Sequence, residues 1–494
     1  MTEIALLVLL LVASLAFSNW RHGFALCVLT AILQDPLRKL APGQPVYFIV
    51  FVGVVFAAAS LGAMATRVSL APGKMLGWRQ YVGTPFALFV LVALVQAVNS
   101  LARFGNPLMT SIGLMSYFAP LPALVLAYRF ALSRGEGGVL RWMRFYVVVA
   151  TLALVTVYLE YAGFGWTTLG EVGGGVLISG AGAYYKGNSG TFRAAEIAAW
   201  HAATVACFSF ILFWGRRFSL PKLLVALAFM AFLIGIGTLT GRRKMIIEIT
   251  IFVSAYFCLK LWFLRGNGKV VFLTALLGIA GYAGAIGMLP PDQGDGSWAS
   301  ERVAKSTGNT FGKYTERAGT VFEDLPRRIL NTGVQPISWA IAQYGWTGAG
   351  LGVGSQGAQH FGGVSSGAAE GGLGKLTVEL GVPGLLVALW LVLALSRYVW
   401  RVLALLARTS PKHSNLAFGL VAFMLANMAA FSVATQAYGD LFILLTLGWS
   451  FGFLVALPLL ADEERSRQLT QIAALPIADE EPDFSLGELS CSPS

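Results

Sequence analysis

The sequence predicts an all-α polytopic membrane protein with 12 or 13 transmembrane helices, and three observations carry the prediction. Of 494 residues, 56% are hydrophobic and only 12% are charged, against roughly 25% charged in a soluble domain. The apolar residues fall in blocks of about 20, the length that crosses a hydrocarbon core of roughly 30 Å. The blocks lack the period-2 alternation of a barrel, and only helices or closed barrels satisfy the backbone in lipid. This composition excludes an ordinary soluble enzyme and a disordered chain.

The expected spans are 4–18, 23–34, 46–66, 84–99, 108–128, 145–162, 194–214, 220–239, 245–264, 270–288, 376–396, 415–436 and 440–460. The first two are short and read as a shallow hairpin or one broken element. The N-terminal run resembles a signal peptide but lacks a basic n-region and a clear cleavage site, so a retained first span is expected. The chain then divides into helices 1–10 over 1–288, a long loop at 289–373, three helices over 374–460, and a tail at 461–494.

Charge orients the chain. The net charge is +11, but its distribution does not indicate nucleic-acid binding. The tail holds eight acids and two bases, which leaves the rest at +17, with bases in short loops between apolar runs. With the C-terminus inside, the inner loops and tail hold 20 Lys and Arg and the short outer loops hold eight. That bias orients helical membrane proteins. The segments 163–193 and 289–373 are then outside, and the acidic tail is cytoplasmic and expected to be disordered. A loop as long as 289–373 is unusual and points to function. Within it, Thr320 and Glu323 have capping-box spacing. Pro336 fits the first turn of a short helix through PISWAIAQY. Trp339 suits the membrane interface or sugar stacking, and Arg317 adds a cation for substrate.

Four cysteines without a CxxC predict apolar packing for Cys27, Cys207 and Cys258, with no disulfide and no metal site. Gly352, Gly354 and Gly357 match GxGxxG, but the motif needs a preceding strand and a βαβ unit, so it reads as coincidence. No Walker A sequence occurs, and no cofactor is expected.

The tightest basic cluster among the short outer loops is Arg242, Arg243 and Lys244, at a helix end. The positive-inside bias disfavours it, and cations at membrane level usually serve a charged partner. Guanidinium binds phosphate bidentately, so a lipid diphosphate is a natural ligand. The plainer alternative is snorkelling to ordinary lipid phosphates. Arg193, Glu196 and His201 lie at the outer end of the seventh span. Arg193 is one turn before Glu196, so these three are candidates for substrate contact, or Arg193 and Glu196 form a structural pair. Glu370 precedes the eleventh span and is the candidate general base. Glu379 lies deeper, as a substrate contact or a packing group. His360 is a loop histidine, either solvated or substrate-facing.

These stretches together resemble a known family. The order is many spans, LTGRRK at an outer helix end, a long outer loop, Gly350, Gly352 and Gly354 as G-x-G-x-G, and then ELGVPGLL from Glu379 to Leu386. It is similar to the O-antigen ligase and Wzy-type polysaccharide polymerase superfamily of bacterial inner membranes. The resemblance implies a GT-C-like membrane fold and a metal-independent glycosyltransferase acting at the periplasmic face. Its substrate would be an oligosaccharide on undecaprenyl diphosphate, passed to a sugar hydroxyl of another lipid-linked unit or of lipid A core. It further implies that Arg242 and Arg243 bind the diphosphate, with membrane lipid around them and a flippase and a chain-length regulator as partners. The ligases carry a histidine where this chain has Glu370, a departure that favours an exopolysaccharide polymerase using a carboxylate there. The competing class is a transporter, for which midplane charges and internal repeats would be expected.

Overall fold

The computed structural model describes residues 2–75, 77–172, 177–180, 183–214, 220–264, 314, 329–355 and 370–473. Fourteen helices are numbered here in chain order among the described residues. They are α1 (Thr2–Ser18), α2 (Trp20–Leu40), α3 (Phe51–Ala65), α4 (Trp78–Tyr81), α5 (Gly83–Phe104), α6 (Pro107–Phe118), α7 (Pro120–Tyr161), α8 (Ala195–Trp214), α9 (Leu220–Leu239), α10 (Lys244–Leu264), α11 (Gln335–Tyr344), α12 (Gly372–Thr409), α13 (Pro411–Val433) and α14 (Leu441–Ala473). Eight helical runs among the described residues are long and apolar enough to cross a membrane. The chain is a multi-pass membrane protein. The expected 12 or 13 spans exceed that number. The expected spans 108–128 and 145–162 fall in one helical run, Pro107–Tyr161, the apolar parts of α1 and α9 are short, α2 carries Arg21, Asp35, Arg38 and Lys39, and the expected span 270–288 lies outside the described residues.

In lipid, helices associate through close packing rather than through escape from water. The pairing of α7 with α14 shows this. Gly448 and Gly452 lie one turn apart on α14, and a Cβ on either would come within 2.4 and 2.1 Å of the carbonyl oxygens of Pro120 and Leu124. Ala123 and Ala127 complete the small-residue seam. Trp142 and Tyr146 of α7 then meet Trp449 and Phe442 of α14 in a buried aromatic core, with Phe24 of α2 and Phe208 of α8 around them. The helices α8 and α14 are buried on most sides, as apolar-all-round helices should be. Against this centre pack α1–α3 on one flank, α9, α10 and α13 on another, and α5, α6, α11 and α12 on a third.

Glycines break the two longest helices. Gly135 (φ 67°) splits α7 and Gly381 (φ 70°) splits α12. The segment 129–144, between the expected spans 108–128 and 145–162, is therefore two helix ends meeting at Gly135. The short helix expected at PISWAIAQY is present as α11, with Pro336 in its first turn. The fold is helical among the described residues apart from one small antiparallel hairpin, Leu177–Gly180 with Ala183–Lys186, within the segment 163–193. One correction applies. The tail expected to be disordered begins as helix, since α14 runs to Ala473. Residues 474–494, Thr320 and Glu323 lie outside the described residues.

Candidate active site

The site is built at one end of the bundle, where α8 and α10 begin and α13 ends. Gly241 (φ 68°) makes the turn between α9 and α10, and Thr240 Oγ1 accepts the Arg242 amide at 3.2 Å. The turn sets Arg242, Arg243 and Lys244 at the N-terminus of α10. A helix N-terminus already carries about half a positive charge, so three cations there repel one another unless anions join them. One anion is in place: Arg242 Nη2 is 2.7 Å from Glu196 Oε1 in the first turn of α8. Lys244 Nζ donates to the neutral amide oxygen of Gln436. Arg243 is half-buried beside them.

One turn further into α10, Glu248 is buried and accepts the Asn427 amide at 3.1 Å. Asn427 Oδ1 accepts Trp200 Nε1 at 2.8 Å and the Tyr438 hydroxyl at 3.2 Å. A cavity of about 20 Å³ lies between Glu196, Trp200, Arg242, Lys244, Glu248 and Tyr438. Tyr438 also lines a second, mainly apolar cavity of about 420 Å³. That groove is walled by Leu121, Leu391, Met424 and Leu447 among others, with Tyr117, Lys375 and Asn427 as polar members. Its volume falls in the range of small-molecule sites.

Glu370 comes to the same place. Its carbonyl accepts the Thr435 amide at 2.7 Å, and the next residue, Gln436, holds Lys244. Its side chain is exposed. The structure thus gathers Glu370, Arg242, Arg243, Lys244 and Glu196 at one end of the bundle.

Other candidates go elsewhere. Arg193 does not pair with Glu196. It precedes α8 rather than lying in it, so the helical i,i+3 geometry does not apply, and its guanidinium reaches Asp35 at 3.4 Å and Asp440. Burial opposes its charge, but Asp440 and Asp35 outweigh that and hold its ionisation above the ordinary arginine range. His201 is buried with Phe192 and Phe442 against its ring, and its Nδ1 is 2.8 Å from the Tyr146 hydroxyl. It lines neither cavity. Glu379 is fully buried. Its Oε2 accepts the Tyr117 hydroxyl at 2.5 Å, its Oε1 has no hydrogen-bond partner among the described residues, and the loop that returns from α11 lies against it at Gly354. Gly352 and Gly354 therefore lie in a loop fastened to α12 through the Ala349 amide and the Val378 carbonyl, not in a strand-to-helix turn, and Gly357 lies outside the described residues. Trp339 is partly exposed and packs edge-on against Tyr344. Arg317 and His360 lie outside the described residues.

Sequence reasoning missed Lys375, Gln436, Asn427, Tyr438 and Glu248 as members of this neighbourhood. The signal for Glu248 and Asn427 was present: polar groups inside apolar runs are costly and mark function or pairing. Compared with known protein families and with curated proteins, the chain matches none.

Proposed function

We propose that the protein is a metal-independent membrane glycosyltransferase that polymerises a cell-surface or secreted polysaccharide. It takes glycan from undecaprenyl diphosphate and passes it to a sugar hydroxyl of another lipid-linked repeat unit, at the periplasmic face of a bacterial inner membrane. The observation that carries this reading is the adjacency at Tyr438, which lines both the small cavity beside Arg242 and Lys244 and the mainly apolar groove of about 420 Å³. A lipid diphosphate has that shape, a charged head on a long apolar chain.

The chemistry follows from the residues. The bond from the anomeric carbon to the diphosphate oxygen breaks as the acceptor oxygen bonds to that carbon. Arg242, helped by Arg243 and Lys244, neutralises charge growing on the departing diphosphate, exchanging Glu196 for the phosphate as its partner. Glu370 takes the acceptor proton. The leaving group is already activated, so no nucleoside triphosphate enters. A flippase would supply the donor and a chain-length regulator would limit the product.

The test is chain extension by purified protein on undecaprenyl-diphosphate-linked units. Wild type should give a ladder. Arg242→Ala should lose about 10²-fold or more, on the order of the 2.7–4 kcal/mol for one transition-state donor. Arg242→Lys should recover only part, because it lacks the planar fork. In a deletion strain, single units should accumulate on the outer leaflet. Accumulation on the inner leaflet would replace this reading with a transporter, and transfer only to lipid A core would replace it with a ligase.

A further inference from the structure

At the end of the bundle opposite the α10 cluster, three arginines converge on one cavity of about 590 Å³. The helix α2 links the two ends. Asp35 of α2 is tied to Arg193, in the segment that leads into α8. Arg21 lies in the first turn of α2, about 20 Å away along the helix axis. It shares the cavity with Arg67, just after α3, and with Arg129 of α7. No acidic side chain lines the cavity, and among the described residues no ion pair ends on the three guanidiniums. Cations gathered in this way from separate segments repel one another until an anion joins them.

Each arginine is held in place without spending its charge. Arg21 Nε donates to Ser133 Oγ at 3.2 Å, and the guanidinium stands 5.2 Å from the centre of the Trp20 ring. Arg129 Nε donates to the Ser69 carbonyl at 3.2 Å. Both are fixed at Nε and keep the Nη fork that suits an oxyanion. Arg67 occupies a position where glycine is usual. The Val68 amide bonds back to the Ala63 carbonyl at 2.9 Å, which closes the end of α3, and Arg67 takes the left-handed φ of 60° there. A side chain strains that backbone, and among the described residues no side-chain hydrogen bond or ion pair of Arg67 offsets the strain. A guanidinium needed in the cavity accounts for it. We propose that this cavity binds the phosphate of an anionic phospholipid in the leaflet at that end, with Arg21, Arg67 and Arg129 as donors. On the orientation read from the bases, that leaflet is the inner one. The space exceeds a single phosphate, and Val68 and Leu132 give the glycerol end of a lipid an apolar wall. Three cations favour the dianion of a phosphomonoester over the single charge of a diester. The bound head group would bridge the start of α2, the end of α3 and the middle of α7.

The experiment uses the full chain in a non-ionic detergent and counts bound lipid by native mass spectrometry. The probes are dioleoyl phosphatidic acid and dioleoyl phosphatidylcholine, which share their acyl chains. No sugar is present, so the result does not depend on the reading of the α10 cluster. Phosphatidic acid should bind at least about tenfold more tightly, as expected for hydrogen bonds between charged groups. Arg21→Ala and Arg129→Ala should each lower that affinity about tenfold, and Arg129→Lys should restore only part of it, because the planar fork is lost. Arg67→Gly suits the left-handed backbone, so it should unfold no more easily than wild type and still lose about tenfold in affinity. That variant keeps the test decisive should the alanine variants not fold. Arg141 and Arg144 are exposed on α7 and do not line the cavity, so Arg141→Ala combined with Arg144→Ala should leave binding unchanged. An equal loss in that double variant shows diffuse charge attraction and overturns the site. Equal affinity for the two lipids overturns the role of the arginines, and wild-type binding by Arg67→Gly overturns the reading of its strained backbone. Inorganic phosphate that displaces the lipid at millimolar level shows a free-anion site and overturns the choice of a lipid.

Discussion

Replacing Arg193 should destabilise the whole bundle, because one guanidinium joins three segments. It pairs with Asp35 near the end of α2 and with Asp440 just before α14, while the segment carrying it leads into α8. Asp35 is 2% exposed and Asp440 is 5% exposed. Arg193→Met leaves two buried carboxylates without their cation. Breaking a buried pair from one side costs about 3–5 kcal/mol. The lower end applies here, since Asp35 keeps the Arg193 backbone amide at 3.0 Å and Asp440 keeps the Ile443 amide at 3.1 Å. About 3 kcal/mol is somewhat more than a hundredfold in the unfolding equilibrium. The assay is reversible unfolding of purified protein in mixed micelles of mild detergent and sodium dodecyl sulfate. Adding Asp35→Asn and Asp440→Asn to Arg193→Met should recover much of the loss, because replacing all members of a buried ionic group removes the unpaired charges. If Arg193→Met unfolds like wild type, or the triple variant is no better than the single one, the clamp does not hold the bundle as argued.

Two further outcomes are expected. Gly452→Ala should cost about 1–3 kcal/mol through overpacking, since its Cβ would meet the Leu124 carbonyl at 2.1 Å; the same micelle titration measures it, and an unchanged midpoint would show that α7 and α14 separate freely. Glu370→Gln should lower turnover in the chain-extension assay by roughly 10²–10⁴-fold with donor binding retained, whereas His360→Gln should do much less. Full activity in Glu370→Gln beside a dead His360→Gln would move the base to His360.

Much of the fold was legible because a membrane turns apolar length directly into helices. The misses have specific causes. Composition alone read the start of the tail as disordered, yet Glu463 and Arg467 pair at i,i+4 and Glu464 reaches Lys412. Such pairs continue a helix that the membrane has already nucleated. The break at Gly381 was not foreseen, because nothing local demands it. A Cβ there would lie 2.5 Å from the Thr347 carbonyl carbon, a contact made by the loop returning from α11. The Arg242 cluster was singled out for the opposite reason. On the orientation read from the bases it departs from a charge rule, and a departure is a stronger signal than agreement. Lys375 obeyed the rules as an ordinary base near a helix start, and only the cavity beside it distinguishes it.

The segment TQAYGD between α13 and α14 explains why the site could not be assembled from charges alone. The Thr435 amide is bonded to the Glu370 carbonyl, and Gln436 holds Lys244. Tyr438 is bonded to Asn427, and Asp440 holds Arg193. Four of its six residues thus each fasten a different part of the molecule: the approach to α12, the start of α10, the end of α13 and the approach to α8. Only Asp440 is charged, and no spacing within the segment signals its role. Yet the small cavity beside Arg242 and the larger apolar groove share Tyr438 of this segment. A shift of the segment would move the wall common to both, which ties the Arg193–Asp440 clamp to the geometry of the candidate site as well as to the stability of the bundle.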